Sequence, residues 1–305
     1  MKALLPCTVG LAIGALTLPI AALGQSIAPA ADGTDTVVDV TGNRYDISAG
    51  TQSGANLFHS FERLGLSEGE IANFLSSPDI ENILGRVTGG DASFINGLLQ
   101  VTGGESNLFL MNPAGIIFGE NARLNVPADF SATTANAIGI DQDWFQSLGS
   151  NNYAALTGIP ESFSFTVEAP GPIINTGNLS VDAGQQIQLV GGLVINTGTL
   201  STPGGEITVE AVPGEGLVTV TQEGNILRLG LPMAAETVLN NEQPNGSQSV
   251  TPQTLPQLLS NGATDNVNGI SVDGVVVRLT RTDKDIPTDA GVTIVSGNVD
   301  VSNPI

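Results

Sequence analysis

The sequence is poor in cysteine, in positive charge and in aromatic residues, and each shortage restricts what the protein can be. Its one cysteine, Cys7, lies in the apolar N-terminal segment, so the remaining chain contains no disulfide bond. Nine lysines and arginines stand against 30 acidic residues, for a net charge of −21. Binding to nucleic acid or to an anionic membrane surface needs a basic patch, so we expect neither partner.

The abundant residues indicate a β protein with many turns. Glycine occurs 38 times, and charged residues make up 13% of the chain, roughly half the usual share. With 41% hydrophobic residues the chain is too apolar for a disordered protein. Glycine-rich, β-branched sequence favours short strands and tight turns. We interpret the negative charge as keeping a secreted protein soluble, with calcium binding as the alternative.

Residues 1–24 have the pattern of a signal peptide. Lys2 supplies the positive charge, the run Leu4–Leu23 is apolar, and small residues precede a cleavage point that we predict before Gln25. A membrane anchor is the alternative, because the run approaches spanning length, but its two prolines and several small residues favour cleavage. No second long apolar run follows, so we expect no membrane span after the leader is removed.

An internal repeat points to a solenoid. The segment Ile174–Ser180 recurs 21 positions later as Ile195–Ser201, and Val295–Asp300 has the same character. This period fits one coil of a parallel β-helix with three short strands per coil. A β-sandwich also has short strands but does not explain a repeat at one-coil spacing. The sequence therefore predicts an all-β, single-stranded solenoid with short helical and hairpin decorations.

Three stretches depart from this pattern. Ser67–Glu70 forms a capping box ahead of apolar residues, and Ser77–Pro78 offers a second helix start, so we expect short helices outside the coils. Trp144–Tyr153 reads as an irregular stretch that covers apolar surface locally. A polar excursion at about 236–268 includes one helical turn near Leu255–Leu259.

Both ends of a β-helix expose unpaired backbone groups. We expect residues 35–65 to cover the start, with opening strands at Val37–Val40 and Tyr45–Ile47. At the other end, Val299–Val301 reads as a strand in mid-coil, which predicts that the chain is a fragment or a shortened form of a longer protein.

The most specific segment is Ser106–Gly119, which contains Asn112, Pro113, Gly115 and Ile116. Proline fixes its own φ angle and glycine tolerates a positive one, so Asn112 to Gly115 should be a tight turn between two strands. The apolar residues on both sides should then point into the coil: Leu108, Leu110, Ile116 and Phe118.

This segment resembles the Asn-Pro-x-Gly-Ile signature of the filamentous-haemagglutinin N-terminal domain, the secretion domain of two-partner secretion exoproteins. Ala114 occupies the variable position, and a second Asn-Pro motif found in some relatives is not evident. The resemblance covers about residues 35–170, with family-like coils to about 230, and is strongest to the cyanobacterial branch. Three flanking blocks agree with it: Ser53–Phe61, Ile83–Gly90 and Ala122–Val126.

The resemblance implies a right-handed parallel β-helix and export through an outer-membrane barrel transporter with POTRA domains. It implies a secretion domain at residues 25–170, continued by coils at 171–305, in a protein found outside the cell or on its surface. Asn112, Pro113, Gly115 and Ile116 are carried over as the secretion motif. The exported protein would be an adhesin or surface scaffold, with a cell-surface or extracellular polysaccharide as a candidate ligand.

The alternative function is that of a β-helix enzyme acting on extracellular polysaccharide, which would need clustered carboxylates or a calcium site. Asp283–Asp285 with nearby arginines (Arg278 and Arg281) reads as a solvated turn, and Asp265–Gly269 lacks full calcium-loop spacing. The only histidine, His59, lies in an apolar strand and is predicted to pack rather than catalyse. We therefore expect no catalytic residue, cofactor or metal.

Overall fold

The computed structural model describes residues 26–212, 214–219 and 297–302, together with the strands at 228–230, 269–273, 276–280, 284–287 and 292–295. The predicted leader, its cleavage point and the polar excursion at 236–268 lie outside these residues. In chain order the strands are β1 (Ile27–Pro29), β2 (Thr36–Thr41), β3 (Arg44–Ala49), β4 (Thr51–Ser53), β5 (Asn56–Leu64), β6 (Ile71–Leu75), β7 (Asn82–Val87), β8 (Ser93–Ile95), β9 (Leu98–Thr102), β10 (Asn107–Met111), β11 (Ile116–Phe118), β12 (Arg123–Asn125), β13 (Phe130–Thr133), β14 (Ala137–Ile140), β15 (Asp143–Gln146), β16 (Pro160–Phe165), β17 (Pro172–Asn175), β18 (Asn178–Ser180), β19 (Gln186–Gly191), β20 (Leu193–Asn196), β21 (Thr199–Ser201), β22 (Glu206–Ala211), β23 (Gly216–Thr219), β24 (Arg228–Gly230), β25 (Gly269–Asp273), β26 (Val276–Thr280), β27 (Lys284–Pro287), β28 (Val292–Val295) and β29 (Asn298–Asp300).

The chain winds as a parallel β-helix with three walls, as the sequence predicts. The first sheet runs in the order β5-β7-β10-β13-β19-β22, the second β3-β6-β9-β12-β18-β21-β29, and the third β8-β11-β17-β20-β28. Where no insertion intervenes, stacked residues lie from 20 positions apart, as in Gln186 and Glu206, to 27 positions apart, as in Ile71 and Leu98. Each wall is thus built from residues about one coil apart in sequence.

The repeat found in the sequence stacks in register, which confirms its interpretation as one coil. Ile174 pairs with Ile195, and Leu179 pairs with Leu200, which in turn pairs with Val299. Asparagines at the corner form a ladder, in which Nδ2 of Asn175 donates to Oδ1 of Asn196 at 2.7 Å. In these two coils identical residues stack on each other, so the second coil repeats the side-chain packing of the first.

The first sheet is buried on both faces, because its alternate side chains enter two different cores. The inward residues fill the bore of the helix, among them Leu57, Ile83, Leu108, Phe130 and Ile187. The outward residues lie in a second core, among them Phe58, Leu84, Phe109, Met111 and Val190. An antiparallel outer sheet in the order β15-β14-β16-β23-β24 contributes the opposite side of that second core.

This outer sheet corrects the expectation of an irregular stretch at Trp144–Tyr153. Residues 143–146 form β15, which pairs with β14, and only a 3-10 turn at Tyr153–Ala155 follows. The expected covering role is confirmed, since Phe145 is fully buried with its ring centroid 4.9 Å from that of Phe58.

The start of the helix is covered by antiparallel strands, as expected for residues 35–65. The predicted opening strands are β2 and β3, which pair antiparallel along their length. On the first sheet, β1 and β4 both run antiparallel to β5. We call residues 27–53 the N-terminal cap, because they end the stack without presenting a free parallel strand.

The expectation of short helices after Ser67 and Ser77 is wrong. The backbone N–H of Ser67 does donate to Oε2 of Glu70 at 2.7 Å, as in a capping box, but Gly69 takes a φ of +78° and the chain turns a corner into β6. At the second site a similar turn, with the N–H of Ile80 donating to the carbonyl of Ser77, leads into β7. Pairing with neighbouring coils outweighs these local signals. No helix within the described residues is long and apolar enough to cross a bilayer.

Candidate secretion motif

Asn112 to Gly115 form the corner between β10 in the first sheet and β11 in the third, as the sequence predicts. The N–H of Gly115 donates to the carbonyl of Asn112 at 3.0 Å, which closes a four-residue turn. Inside it, the N–H of Ala114 donates to Oδ1 of Asn112, also at 3.0 Å. Asparagine therefore bonds to the turn through both its backbone and its side chain.

Asn112 also binds the coils on either side of its own. Its Nδ2 donates to the carbonyl of Asp91 and to Oγ of Ser93, each at 3.0 Å, in the preceding coil. Its backbone N–H donates to the carbonyl of Thr133 in the following coil at 3.0 Å. With 1% of its surface exposed, Asn112 presents almost nothing to solvent.

Gly115 occupies a place that no other residue fits without strain. Its φ is +123°, and a Cβ built on it would lie 3.2 Å from both Cδ and the carbonyl oxygen of Pro172 in the next coil. A Cβ on Gly171 would lie 2.4 Å from the carbonyl oxygen of Pro113. The corners that contain Gly115 and Gly171 thus stack with their backbones in contact, and a side chain on either glycine would press on the other corner.

The apolar residues that flank the turn point inward, as predicted. All four belong to the core that fills the bore: Leu108, Leu110, Ile116 and Phe118. Of the motif only Pro113 and Ala114 are half-buried rather than buried. In the folded protein the motif is therefore a piece of the core with a small exposed tip.

The sequence model of one family, the TPS secretion domain, matches residues 25–240. The chain belongs to the TPS secretion domain family. Membership makes it an exoprotein of two-partner secretion, in agreement with the secreted or cell-surface location expected from the sequence. No curated protein sequence matches it.

Among the solved structures that are similar to the chain are two secretion domains. The HMW1 secretion domain from Haemophilus influenzae is 24% identical with a TM-score of 0.46, over 68% of this chain and 48% of that one. The filamentous hemagglutinin secretion domain is 17% identical with a TM-score of 0.41, over 64% of this chain and 65% of that one. The chain spans about half the length of the first.

Within this TPS domain the structure brings the motif together with an apolar surface that the sequence analysis missed. Phe94 on β8 pairs with Ile117 on β11, directly after the motif, and both side chains point outward. Phe94 is 53% exposed and Ile117 is half-buried. No signal in the sequence locates it, because Ser93, Phe94 and Ile95 do not alternate between polar and apolar residues.

A polar network around Arg86 was also missed. The guanidinium is 2% exposed and makes an ion pair with Asp32 at 2.8 Å. It also donates to Oγ of Ser60 at 3.0 Å and to the carbonyls of Gln146 and Gly149 at 2.8 and 2.9 Å. One side chain thus joins the N-terminal cap, the first sheet and the outer sheet. No pattern in the sequence brings together residues so far apart.

The same network lowers the pKa of the Asp32 carboxyl. Partial burial acts to raise the pKa of its carboxyl, but hydrogen bonds from Ser60, Thr34 and Arg86 outweigh that effect and hold the pKa below its ordinary value. Asp32 accordingly stays ionised beside Arg86 at neutral pH.

The residues considered for the enzyme alternative are only partly described. Asp265, Arg281 and Asp283 lie outside the described residues. In the backbone that is described, Arg278 pairs in register with Asp285 across β26 and β27. Among the described residues no three histidine, cysteine or acidic side chains are grouped to hold a metal ion. His59 lies fully buried in the bore, in the packing role expected for it.

Proposed function

We propose that this chain is exported by an outer-membrane barrel transporter with POTRA domains, and that Asn112, Pro113, Gly115 and Ile116 are required for that export. Residues 25–170 act as the secretion domain, and the coils of residues 171–305 extend it as a rod. Once outside, the protein serves as an adhesin or surface scaffold with a polysaccharide ligand. The support for export is the family match over residues 25–240.

The burial of Asn112 supports a specific role for the motif. Its side-chain amide bonds to Asp91, Ser93 and Ala114 in the folded protein, so a transporter could contact that amide only before folding. After passage, this amide closes the corner and binds it to the preceding coil, and the backbone N–H of Asn112 binds the carbonyl of Thr133 in the following coil. We propose that formation of this corner stabilises the coil outside the cell and thereby opposes backward movement of the chain.

The test is a secretion assay in a strain that holds both the chain and its transporter. Replacing the motif residues (Asn112→Ala with Pro113→Ala) is expected to leave most of the protein in the periplasm, because neither recognition nor corner formation is possible. A matched control changes an exposed asparagine and an exposed proline outside the motif, Asn152→Ala with Pro78→Ala. Neither control side chain makes a described hydrogen bond, so release of this variant should equal that of the wild type.

Equal release of both variants into the medium would contradict the proposed role of the motif. Release of the wild type from cells without any POTRA-barrel transporter would contradict the export route itself.

A further inference from the structure

His59 is the only histidine of the chain, and it closes the bore of the β-helix at its N-terminal end. It lies on β5 with its side chain inward, paired with Gly85 on β7. The corner between β3 and β4 lies directly over the imidazole. A Cβ built on Gly50 would be 2.9 Å from Cε1 and 3.0 Å from Nδ1 of His59. The N-terminal cap thus rests on this ring.

Aromatic side chains lie beside the imidazole. Its ring centroid lies 6.2 Å from that of Phe61 and 6.0 Å from that of Phe74. Neither ring nitrogen has a hydrogen-bond partner within the described structure, although both are buried. A buried polar group without a partner is rare and costs stability even when it is neutral.

Among the described residues, no ionisable group near the bore is positioned to compensate a charge on this ring. The hydroxyl of Tyr45 enters the bore from β3 but donates to Oε1 of Glu70 at 2.8 Å. β4 and β6 carry no ionisable side chain. The remaining charged residues of the surrounding strands are exposed or bonded elsewhere: Arg44 and Asp46 on β3, Glu62 and Arg63 on β5, and Arg86 on β7.

We propose that His59 makes the N-terminal cap an acid-sensitive closure, which opens when the imidazole takes up a proton. A charged ring cannot remain in the apolar bore, and the shortest route to water is displacement of the Gly50 corner above it. The cap would separate first, since β1, β2 and β4 lie at the end of the stack and each pairs with only one other described strand. This proposal does not depend on the route of export.

The pH range in which the cap would open follows from the pKa of His59 in the closed state and in the open state. Burial lowers the pKa of His59 in the folded protein from 6.5 to about 4. The open state therefore binds more protons below pH 6.5, and the closed state loses stability from there down to about pH 4, where the loss becomes constant. By linkage, one such group raises the unfolding equilibrium constant roughly 30-fold between pH 7.5 and pH 5.0.

Other groups act outside this range or in the opposite direction. Asp32, Asp46 and Glu70 have lowered pKa values, so their stabilisation is lost only below about 4.5. Burial raises the pKa values of Asp129 and Glu210, so protonation of these carboxyls in acid stabilises the folded state. The contribution of His59 is therefore the difference in pH response between the wild type and a variant that lacks this histidine, because the carboxyls contribute equally to both.

The first experiment is urea unfolding of the purified chain without its predicted leader, at both pH values. Between the two pH values the unfolding equilibrium constant of the wild type should rise roughly 30-fold more than that of His59→Gln, whose side chain is polar but does not titrate. His59→Phe serves as a second variant if the glutamine protein does not fold. An equal pH response in the wild type and either variant would overturn the proposal.

The second experiment needs no variant, because a single histidine gives a single set of imidazole signals. In the folded wild type, NMR should show a neutral ring from pH 7.5 down to pH 5.0. Hydrogen exchange, corrected for its intrinsic pH dependence, should rise over residues 27–64 in acid but not over residues 172–201. A folded-state titration midpoint near 6.5, or a rise spread evenly over both segments, would refute the closure.

Discussion

The coils of residues 172–201 and the first coils with their cap have the same fold but differ in how they are stabilised. In the later coils like stacks on like: Ile174 on Ile195, Asn175 on Asn196. The early part also has an asparagine ladder, through Asn56, Asn82 and Asn107. It adds contacts between residues that are distant and unlike, such as those of Arg86 with Asp32 and with the carbonyls of Gln146 and Gly149.

The difference has a physical cause. A coil in the middle of a stack has both faces paired by its neighbours, so a regular sequence satisfies its backbone groups. The first coil lacks a neighbour on one side, and its cap must be held by specific side chains. The early coils also carry the outer sheet, whose attachment needs polar anchors such as Arg86 beside the second core. Three substitutions test this contrast.

The largest effect is expected from Arg86→Met. The variant leaves Asp32 without its ion-pair partner and the Gly149 carbonyl without a donor, and it leaves the Gln146 carbonyl with only the Nδ2 of Asn151, so the free energy of unfolding should fall by about 3 to 5 kcal/mol. Urea unfolding measures the loss. Arg123→Met, an exposed residue of β12, is the matched control and should change stability by less than about 0.5 kcal/mol. Similar losses in the two variants would contradict the anchoring role of Arg86.

A smaller loss, about 2 to 3 kcal/mol, is expected from Gly115→Ala. Alanine would be strained at a φ of +123° and would also press on Pro172 of the next coil. Gly184→Ala separates the two causes, since Gly184 has a φ of +83° with no atom near its missing Cβ and should lose only about 1 kcal/mol. If the two glycine variants are equally destabilised in thermal or urea unfolding, close stacking at the motif corner is unimportant.

The smallest loss of stability is expected from a substitution in the regular coils. Asn196→Ala removes the acceptor of Asn175 and should cost about 1 to 2 kcal/mol, while Asn125→Ala, on the exposed face of β12, should cost less than about 0.5. A double-mutant cycle with Asn175→Ala should return a coupling of at least about 0.5 kcal/mol. Additive losses would mean that the ladder does not link the coils.

Local sequence was a reliable guide where the structure depends on residues within one turn or on the equivalent residue of the next coil. The turn at Asn112 to Gly115, its inward neighbours and the stacking of Ile174 on Ile195 all follow from short patterns. It was a poor guide at Ser67–Glu70, where the bonds of a capping box are present but lead into a strand. Neighbouring coils supply strand partners there, and a local signal worth about 1 kcal/mol cannot compete with them.

The sequence by itself determined the class of fold, the coil length at residues 174–201 and the position of the motif turn, because each depends on residues one coil or one turn apart. Only the tertiary structure decided that β14, β15 and β16 form a sheet over the first wall, that Arg86 reaches Asp32, and that the cap closes on His59. The first two join segments separated by tens of residues and the third joins residues only nine apart, Gly50 and His59, but the geometry of all three exists only once the coils are stacked.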